Sequence, residues 1–365
     1  MLHGKCGMNN YFWRGKKVFV TGHTGFKGSW LVQVLDCLGA EVTGYSLPAP
    51  TKPSLFEQID LSRKVNHIIG DIRDTDKLTE AMRANHSEVI FHLAAQPLVS
   101  EGYNDPIETF STNVMGTQSV LEAIRQCETV QAAVMVSSDK CYQNREQLWG
   151  YKENDPLGGN DPYSASKGCM ELLVNSYQYS FFSNLDAPNI ATARAGNVIG
   201  GGDWAPNRLV PDILKALSQN EVIKLRSPNA TRPWQHVLEP LFGYLTLAER
   251  LYCPKDGKNF KGSWNFGPEY KAIKSVIEIT EELKNISGST SEIEYLSGQT
   301  FKEAKLLNVD STKAHQQLNW HSVWSINEAL ELTWRWQQGF KLNMNTSQLC
   351  QSDIELYLAK LAEVI

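Results

Sequence analysis

Two short stretches of this 365-residue chain carry side chains that could move protons. In the first, VMVSSDKCY, apolar residues run from Val134 straight into two hydroxyls, an acid and a base: Ser137, Ser138, Asp139 and Lys140. In the second, DPYSASK, Tyr163 and Lys167 stand four residues apart, hence on one face of a helix that Pro162 begins. A phenol with a pKa of about 10 is a poor base at neutral pH, and an ammonium one turn away favours its ionised form. Ser137 or Ser138 can hydrogen-bond the same reacting hydroxyl. Taken alone, Asp139 beside Lys140 reads as a solvated ion pair, because such neighbours are usually surface features. At the carboxyl end of a strand in an open α/β sheet, where ligands bind, the same pair reads as a proton donor and a proton acceptor.

A third stretch, VTGHTGFKG, sets Gly22, Gly25 and Gly28 between a strand and a helix. Glycines there permit a tight turn and let backbone N–H groups approach a pyrophosphate at the positive end of the helix. The pattern is G-x-x-G-x-x-G, and its place at the first β–α junction of an alternating series points to a dinucleotide. The second strand ends at Tyr45-Ser46 with no acid for a ribose and no arginine close behind, so charge does not decide between NAD and NADP. Asp71, in GDIRD, is offered to the adenine edge, and the small residues of HLAAQ (His92–Gln96) let a dinucleotide pass close.

The elements that must position these groups alternate. Strands are expected at Lys17–Thr21, Glu41–Ser46, Val65–Ile69, Val89–Leu93, Ala132–Val136 and Ile190–Ala193. Helices are expected at Ser29–Leu38, Asp74–Ala84 (with Asp74 as N-cap), Pro106–Gln126 and Pro162–Phe182. Such alternation implies right-handed crossovers and a parallel, doubly wound sheet of Rossmann type. After Gly200-Gly201-Gly202 the rhythm changes, with later helices expected at Ser275–Leu283 and Ser325–Gln338 and a strand ending at Trp264–Gly267. The expected organisation is a dinucleotide-binding domain over 9–199 and a smaller, mainly substrate-binding lobe over 200–365. Part of the segment around 237–270 returns to the sheet. Residues 1–8 are set aside as an expression remnant or a disordered segment.

Composition narrows the partners. A net charge of −5 without a basic block argues against nucleic acid, and no run of about 18 apolar residues argues for a membrane span. Seven scattered cysteines without a C-x-x-C pair fit reduced thiols in the cytoplasm, and no spacing suggests a metal site. Cys141 and His236 have no sequence partner for chemistry and are expected to pack.

The segments Thr21–Gly28, HLAAQ, Asn113 in STNVMGT and Y-x-x-x-K resemble the extended short-chain dehydrogenase/reductase superfamily. More narrowly, TGHTGFKGSWL, SSDKCYQN, NDPYSASKGCMELL, RAGNVIGGGDW and RPWQHVLEPL resemble the CDP-glucose 4,6-dehydratases. The resemblance implies oxidation at C4 by Tyr163, Lys167 and Ser138, then loss of water across C5 and C6. By position Asp139 is the candidate acid toward the C6 oxygen and Lys140 the candidate C5 base, where the related dTDP-glucose dehydratases carry Asp-Glu. It implies NAD held by Gly22, Thr24, Gly25, Phe26, Gly28, Ser46, Asp71, Ile72, Leu93, Ala94, Ala95, Thr112 and Ser137, together with Tyr163 and Lys167. The substrate CDP-glucose would meet Gln96, Asn197, Arg208 and Arg232, arginine suiting a diphosphate because its planar fork matches phosphate oxygens. A homodimer or higher homo-oligomer is also implied, through helices around 105–126 and 162–182.

Overall fold

The computed structural model describes residues 11–184, 186–296 and 304–364. The segment 1–8 lies outside the described residues. Seven strands form one parallel sheet: Lys17–Thr21 (β1), Glu41–Ser46 (β2), Asn66–Ile69 (β3), Val89–His92 (β4), Ala132–Val136 (β5), Asn189–Ala195 (β6) and Gly262–Phe266 (β7). Their order across the sheet is β7-β6-β5-β4-β1-β2-β3, so the chain reverses direction of travel between β1 and β4. A crevice opens at such a reversal, outside the carboxyl ends of the strands.

Both faces of the sheet are buried, as a parallel sheet requires. Val18, Val20, Phe91 and Val134 pack with Trp30, Leu31, Leu241 and Leu245 on one face. Their strand neighbours Phe19, Ile90, Ala133 and Met135 pack with Leu78, Met82, Val120, Met170 and Val174 on the other. The helices that supply these partners include Phe26–Cys37 (α1), Thr75–Ala84 (α2), Thr117–Arg125 (α3) and Pro162–Ser180 (α4). Asp74 caps α2 as expected, accepting from the Lys77 backbone N–H at 3.1 Å. The helical run before α3 contains a widened π turn at Ser111–Gly116, and Asn113 sits within it.

Helices Leu209–Gln219 (α5), Leu238–Tyr252 (α6), Val276–Ser287 (α7), Ile326–Lys341 (α8) and Thr346–Val364 (α9) complete the C-terminal half. Each of α7 and α8 starts with a capping box, Ser275 with Glu278 and Ser325 with Glu328. The N-cap of such a box contributes about 1 kcal/mol. α6 packs on the central sheet, and β7 joins β6 at its edge, so the C-terminal half completes the core of the N-terminal half. Glu239 on α6 is buried, and burial pushes its carboxyl up to about 7. It nevertheless accepts from the backbone N–H groups of Val323 (2.9 Å) and Trp324 (2.7 Å) and from the Tyr357 hydroxyl (2.9 Å), tying α9 and the segment before α8 to the core.

Three expected boundaries shift. α1 begins at Phe26 rather than Ser29, because Gly28 takes a helical conformation and packs against the turn that precedes it. The strand expected to start at Val65 starts at Asn66, and the one expected at Ile190 starts one residue earlier and runs on to Ala195.

Candidate active site

A single cavity of about 1960 Å³ runs along the carboxyl ends of the strands and on between the sheet and the C-terminal lobe. Its first arm is floored by the glycine turn. Gly22 has φ +77, and a Cβ there would stand 2.6 Å from the backbone nitrogen of Ala94. At Gly28 a Cβ would collide with the Gly22 carbonyl, so the close packing of helix on turn admits nothing larger. Gly25 differs: a Cβ there would meet only the Gly22 carbonyl oxygen, at 3.5 Å. Among the described residues no neighbour demands a glycine at 25, whereas a pyrophosphate lying on the turn would. The residues present therefore fit a dinucleotide.

Around that arm the expected cofactor residues converge. The Thr24 hydroxyl lies 2.8 Å from that of Ser46 and donates to the Leu47 carbonyl at 2.9 Å, joining the glycine turn to the end of β2. Below Ala94, the Thr21 hydroxyl lies 2.7 Å from His92 Nδ1 and accepts from the Ala94 N–H. Burial, with Lys167 adding to it, pushes His92 down to about 3, so the imidazole there is neutral. Asp71 lines the cavity, but Arg73 clamps its carboxylate from the side and holds its pKa low, bridging onward to Glu108 at 2.5 Å. Ile72 and Thr112 lie on the same wall.

At the centre, β5 ends and the chain turns sharply. Ser138 caps a short 3₁₀ turn, Asp139–Cys141, accepting from the Lys140 N–H at 3.2 Å and donating to Asp139 Oδ1 at 3.0 Å. Asp139 is 2% exposed, and no ion pair joins it to Lys140 among the described residues. Against a solvated pair, the acid is buried, its Oδ2 has no hydrogen-bond partner among the described residues, and both residues line the cavity. Opposite them, α4 presents Tyr163 and Lys167 to the same space. Asp161 caps α4, accepting from the Ser164 N–H at 2.9 Å, which fixes the helix start one residue before Pro162.

Burial pushes the Tyr163 phenol up to about 12; the Ser138 hydroxyl and Arg208 oppose this, and Asp139 adds to it. Burial also draws Lys167 down to about 8, against the pull of Glu171 one turn further along α4. Lys167 Nζ donates to the Val136 carbonyl at 3.4 Å, which anchors it at the end of β5. The chain's own residues thus hold the phenol protonated, and a further positive charge is needed to ionise it.

Behind the turn lies an ion pair with almost no solvent contact. Arg194 on β6 meets Glu171 at 2.8 Å through each of two nitrogens, and Thr192 and Ser263 add hydrogen bonds to the pair. Arg194 also donates to the Tyr142 hydroxyl at 2.7 Å, and that hydroxyl donates to Asn265 on β7 at 2.6 Å. Burial opposes both charges, but each partner more than offsets it, raising Arg194 and lowering Glu171. The network pins Tyr142 and with it the Asp139–Cys141 turn. Cys141 is wholly buried, and burial raises its thiol, in line with packing rather than chemistry. His236 is likewise buried, pushed down to about 3 by burial, and lies against Trp30 and Trp324.

The second arm carries Asn197, Arg208 and Arg232. Arg208 stands at the start of α5 and pairs with Asp203 at 3.0 Å. Arg232 is buried and donates to the Thr231 carbonyl at 2.8 Å.

Every residue expected at the site lines this cavity except Gln96. Its amide is used within the loop: the oxygen accepts from the Leu98 N–H (2.6 Å), and the nitrogen donates to Thr109 (2.8 Å) and to the Leu98 carbonyl. The expected sugar contact at Gln96 is therefore corrected to a loop brace. Asn113 in the π turn holds the backbone of the same residue from both sides and donates to Ser166 on α4. Lys27, which the sequence reading passed over, also lines the cavity. The available signal was its place in the first turn of α1, where the helix dipole disfavours a cation.

The family model described as GDP-mannose 4,6 dehydratase matches residues 19–333. The CDP-glucose 4,6-dehydratase of Salmonella typhimurium is 48% identical over 334 residues, covering 90% of this chain and 92% of that protein. The chain belongs to the nucleotide-sugar 4,6-dehydratase family. The UDP-glucose 4-epimerase of Halalkalibacterium halodurans is 28% identical, across 88% of this chain and 95% of its own length. In fold, the chain matches a dTDP-glucose 4,6-dehydratase from Streptomyces venezuelae, solved with NAD bound, at a TM-score of 0.77 and 23% identity. That match covers 91% of this chain and 99% of the other.

Proposed function

We propose that this dehydratase converts CDP-glucose to CDP-4-keto-6-deoxyglucose and water, with NAD held and regenerated within each turnover. The observation that carries the reading is the buried Asp139 with Lys140 beside it, facing the same cavity as Tyr163 and Lys167. A chain that only oxidised, reduced or epimerised at C4 would need the tyrosine and lysine but no second acid–base pair. NAD, once bound, would supply a positive ring that favours the Tyr163 phenolate and a hydride acceptor for the oxidation at C4. Gly22, Gly25 and Gly28 would hold its pyrophosphate, and Ser46, Asp71, Ile72 and Thr112 would line its adenosine end.

The chain's own groups then divide the work. Tyr163 takes the proton of the C4 hydroxyl, Ser138 steadies the oxygen, and Lys167 keeps positive charge beside the phenol. The C4 ketone acidifies C5–H, Lys140 removes that proton, and Asp139 protonates the departing C6 hydroxyl. Arg208 and Arg232, with Asn197, meet the diphosphate. The six described cysteines are free thiols, which supports a place in the reducing cytoplasm.

Incubating the protein with CDP-, dTDP-, UDP- and GDP-glucose and weighing the products tests the reading. The expected result is loss of one water from CDP-glucose; a product of unchanged mass would mean epimerisation and sink the proposal. Lys140→Ala is expected to permit NADH formation from bound substrate while blocking exchange of C5–H with solvent. Undiminished exchange would remove Lys140 from the base role. Gly28→Ala, by driving a methyl into the Gly22 carbonyl, is expected to weaken NAD binding at least about tenfold in a fluorescence titration, equivalent to about 1.4 kcal/mol.

We also infer that two copies pair through the helical layer of Pro106–Phe110, the π turn and α4. Ile107 (82%), Met115 (54%), Leu172 (58%) and Tyr179 (75%) stand exposed there, an apolar surface of a kind that marks association. Sedimentation should return a dimer, and Leu172→Asp should shift it toward monomer.

A further inference from the structure

Asp71 follows β3 in the first arm of the cavity, and one residue holds its carboxylate from the side. Oδ1 accepts the Arg73 backbone N–H at 2.9 Å and the Nε–H at 3.0 Å, the latter shared with Oδ2 at 3.1 Å. Oδ2 also accepts an Nη2–H at 2.6 Å. The guanidinium is pinned from behind. Its Nη1 donates to Glu108 at 2.5 Å and to Ser111 at 3.3 Å, and Glu108 accepts in turn from the Thr112 hydroxyl at 3.1 Å. The turn itself is seated from below. Tyr45, wholly buried, donates its hydroxyl to the Asp71 carbonyl at 3.0 Å. Ile72 packs on Gly116 of the π turn, where a Cβ would stand 2.5 Å from its Cδ1.

An ionised carboxylate accepts about four hydrogen bonds. Arg73 supplies N–H, Nε–H and Nη2–H, which leaves one acceptor position open, on Oδ2, with no described residue filling it. The Arg73 hydrogen bonds also hold the acid below its ordinary value, so it stays ionised and has no proton to donate. Arg73 has little left for a phosphate: Nε–H, one Nη2–H and both Nη1–H groups are committed. The pair therefore presents a single, fixed acceptor to whatever lies in that arm.

We propose that Arg73 is a positioning residue that makes Asp71 selective for a 6-amino purine over a 6-oxo purine at the adenosine end of the cofactor. The proposal rests on the cofactor placement above and goes beyond it by giving the choice of base a cause. A 6-amino group donates to the open position. A 6-oxo group sets its lone pairs against an anionic oxygen, and a site built around one hydrogen bond rejects the analogue that cannot make it. The clamp matters because a 6-oxo purine carries an N–H at the neighbouring ring position. A free carboxylate would swing to meet that N–H; one forked by a guanidinium cannot. Arg73 acts only through Asp71, and the reacting atoms lie at the far end of the dinucleotide.

The test takes wild type, Arg73→Met and Arg73→Lys, each freed of nucleotide. Each is titrated by protein fluorescence with NAD and with nicotinamide hypoxanthine dinucleotide, whose base has a 6-oxo group in place of the 6-amino group. Wild type should bind NAD at least about tenfold more tightly, the worth of one hydrogen bond to a charged group. In both variants that ratio should fall to about twofold or less, chiefly through weaker binding of NAD. The ratio is taken within each variant, so any loss of folded protein cancels. A preference retained in Arg73→Met would overturn the proposal, as would equal weakening of both dinucleotides, the mark of a packing role. Full restoration by Arg73→Lys would also overturn it, because lysine keeps the charge without the fork. So would a wild type that binds the two equally. A wild type that binds neither dinucleotide would defeat the cofactor placement itself, and the proposal with it.

Discussion

Tyr163→Phe is expected to lower kcat by about 10³-fold, within the range that a positioned acid–base group contributes, and to abolish NADH formation from bound substrate. The loss should fall on chemistry and not on binding. Phenylalanine preserves the packing of a ring that is 8% exposed and removes only the oxygen proposed to take the C4 proton. The phenol stands at about 12 with Lys167 already one helical turn away, so its proposed activation depends on a further positive charge, that of the nicotinamide ring. NAD affinity, measured by titration, should change little. Normal NADH formation in the variant would refute the assignment of Tyr163 as the C4 base.

The second large effect is expected on stability. Arg194→Met leaves Glu171 as a charge at 1% side-chain exposure with its cationic partner gone, and breaking a buried pair in this way costs about 3–5 kcal/mol. Urea unfolding should show the midpoint falling accordingly. The same pair sets an acid limit. Glu171 is held below its ordinary value in the folded protein, so the stability it contributes is present above about pH 4.5 and is lost as pH falls through its lower folded value. In the variant, stability should instead improve on mild acidification, because a neutral carboxyl is the cheaper group to bury there. Because Arg194 also holds Tyr142, turnover should suffer beyond the loss of folded protein, through a loosened Asp139–Cys141 turn.

Much of this site could be read in the sequence because short-range physics decides it. Tyr163 and Lys167 share a face because a helix turns every 3.6 residues, and the glycine turn announces itself by what no larger residue could do there. Asp139 and Lys140 line the cavity at the end of a buried strand, although neighbouring charges by themselves suggest surface. Gln96 was misplaced because its chain position, one step past β4, says where the backbone goes but not which partner its amide finds. That partner, Thr109, arrives through a loop whose path is set by tertiary packing. Lys27 was overlooked for a similar reason: it lies against Tyr244, more than two hundred positions away. α6 escaped because eleven of its fifteen residues are buried, including Glu239, so it has no polar face to give a helical period.

The edge position of β7 has a consequence for how the protein is made. β6 ends at Ala195, and the partner of its outer edge begins only at Gly262. Emerging from a ribosome at about 5–20 residues per second, the nascent sheet would present β6 as an unpaired hydrophobic edge for several seconds. Such an edge is a template for pairing with another chain. Yield in a cell should therefore depend on how quickly the ribosome crosses codons 196–262 and on chaperone supply during that interval, more than on the stability of the finished fold.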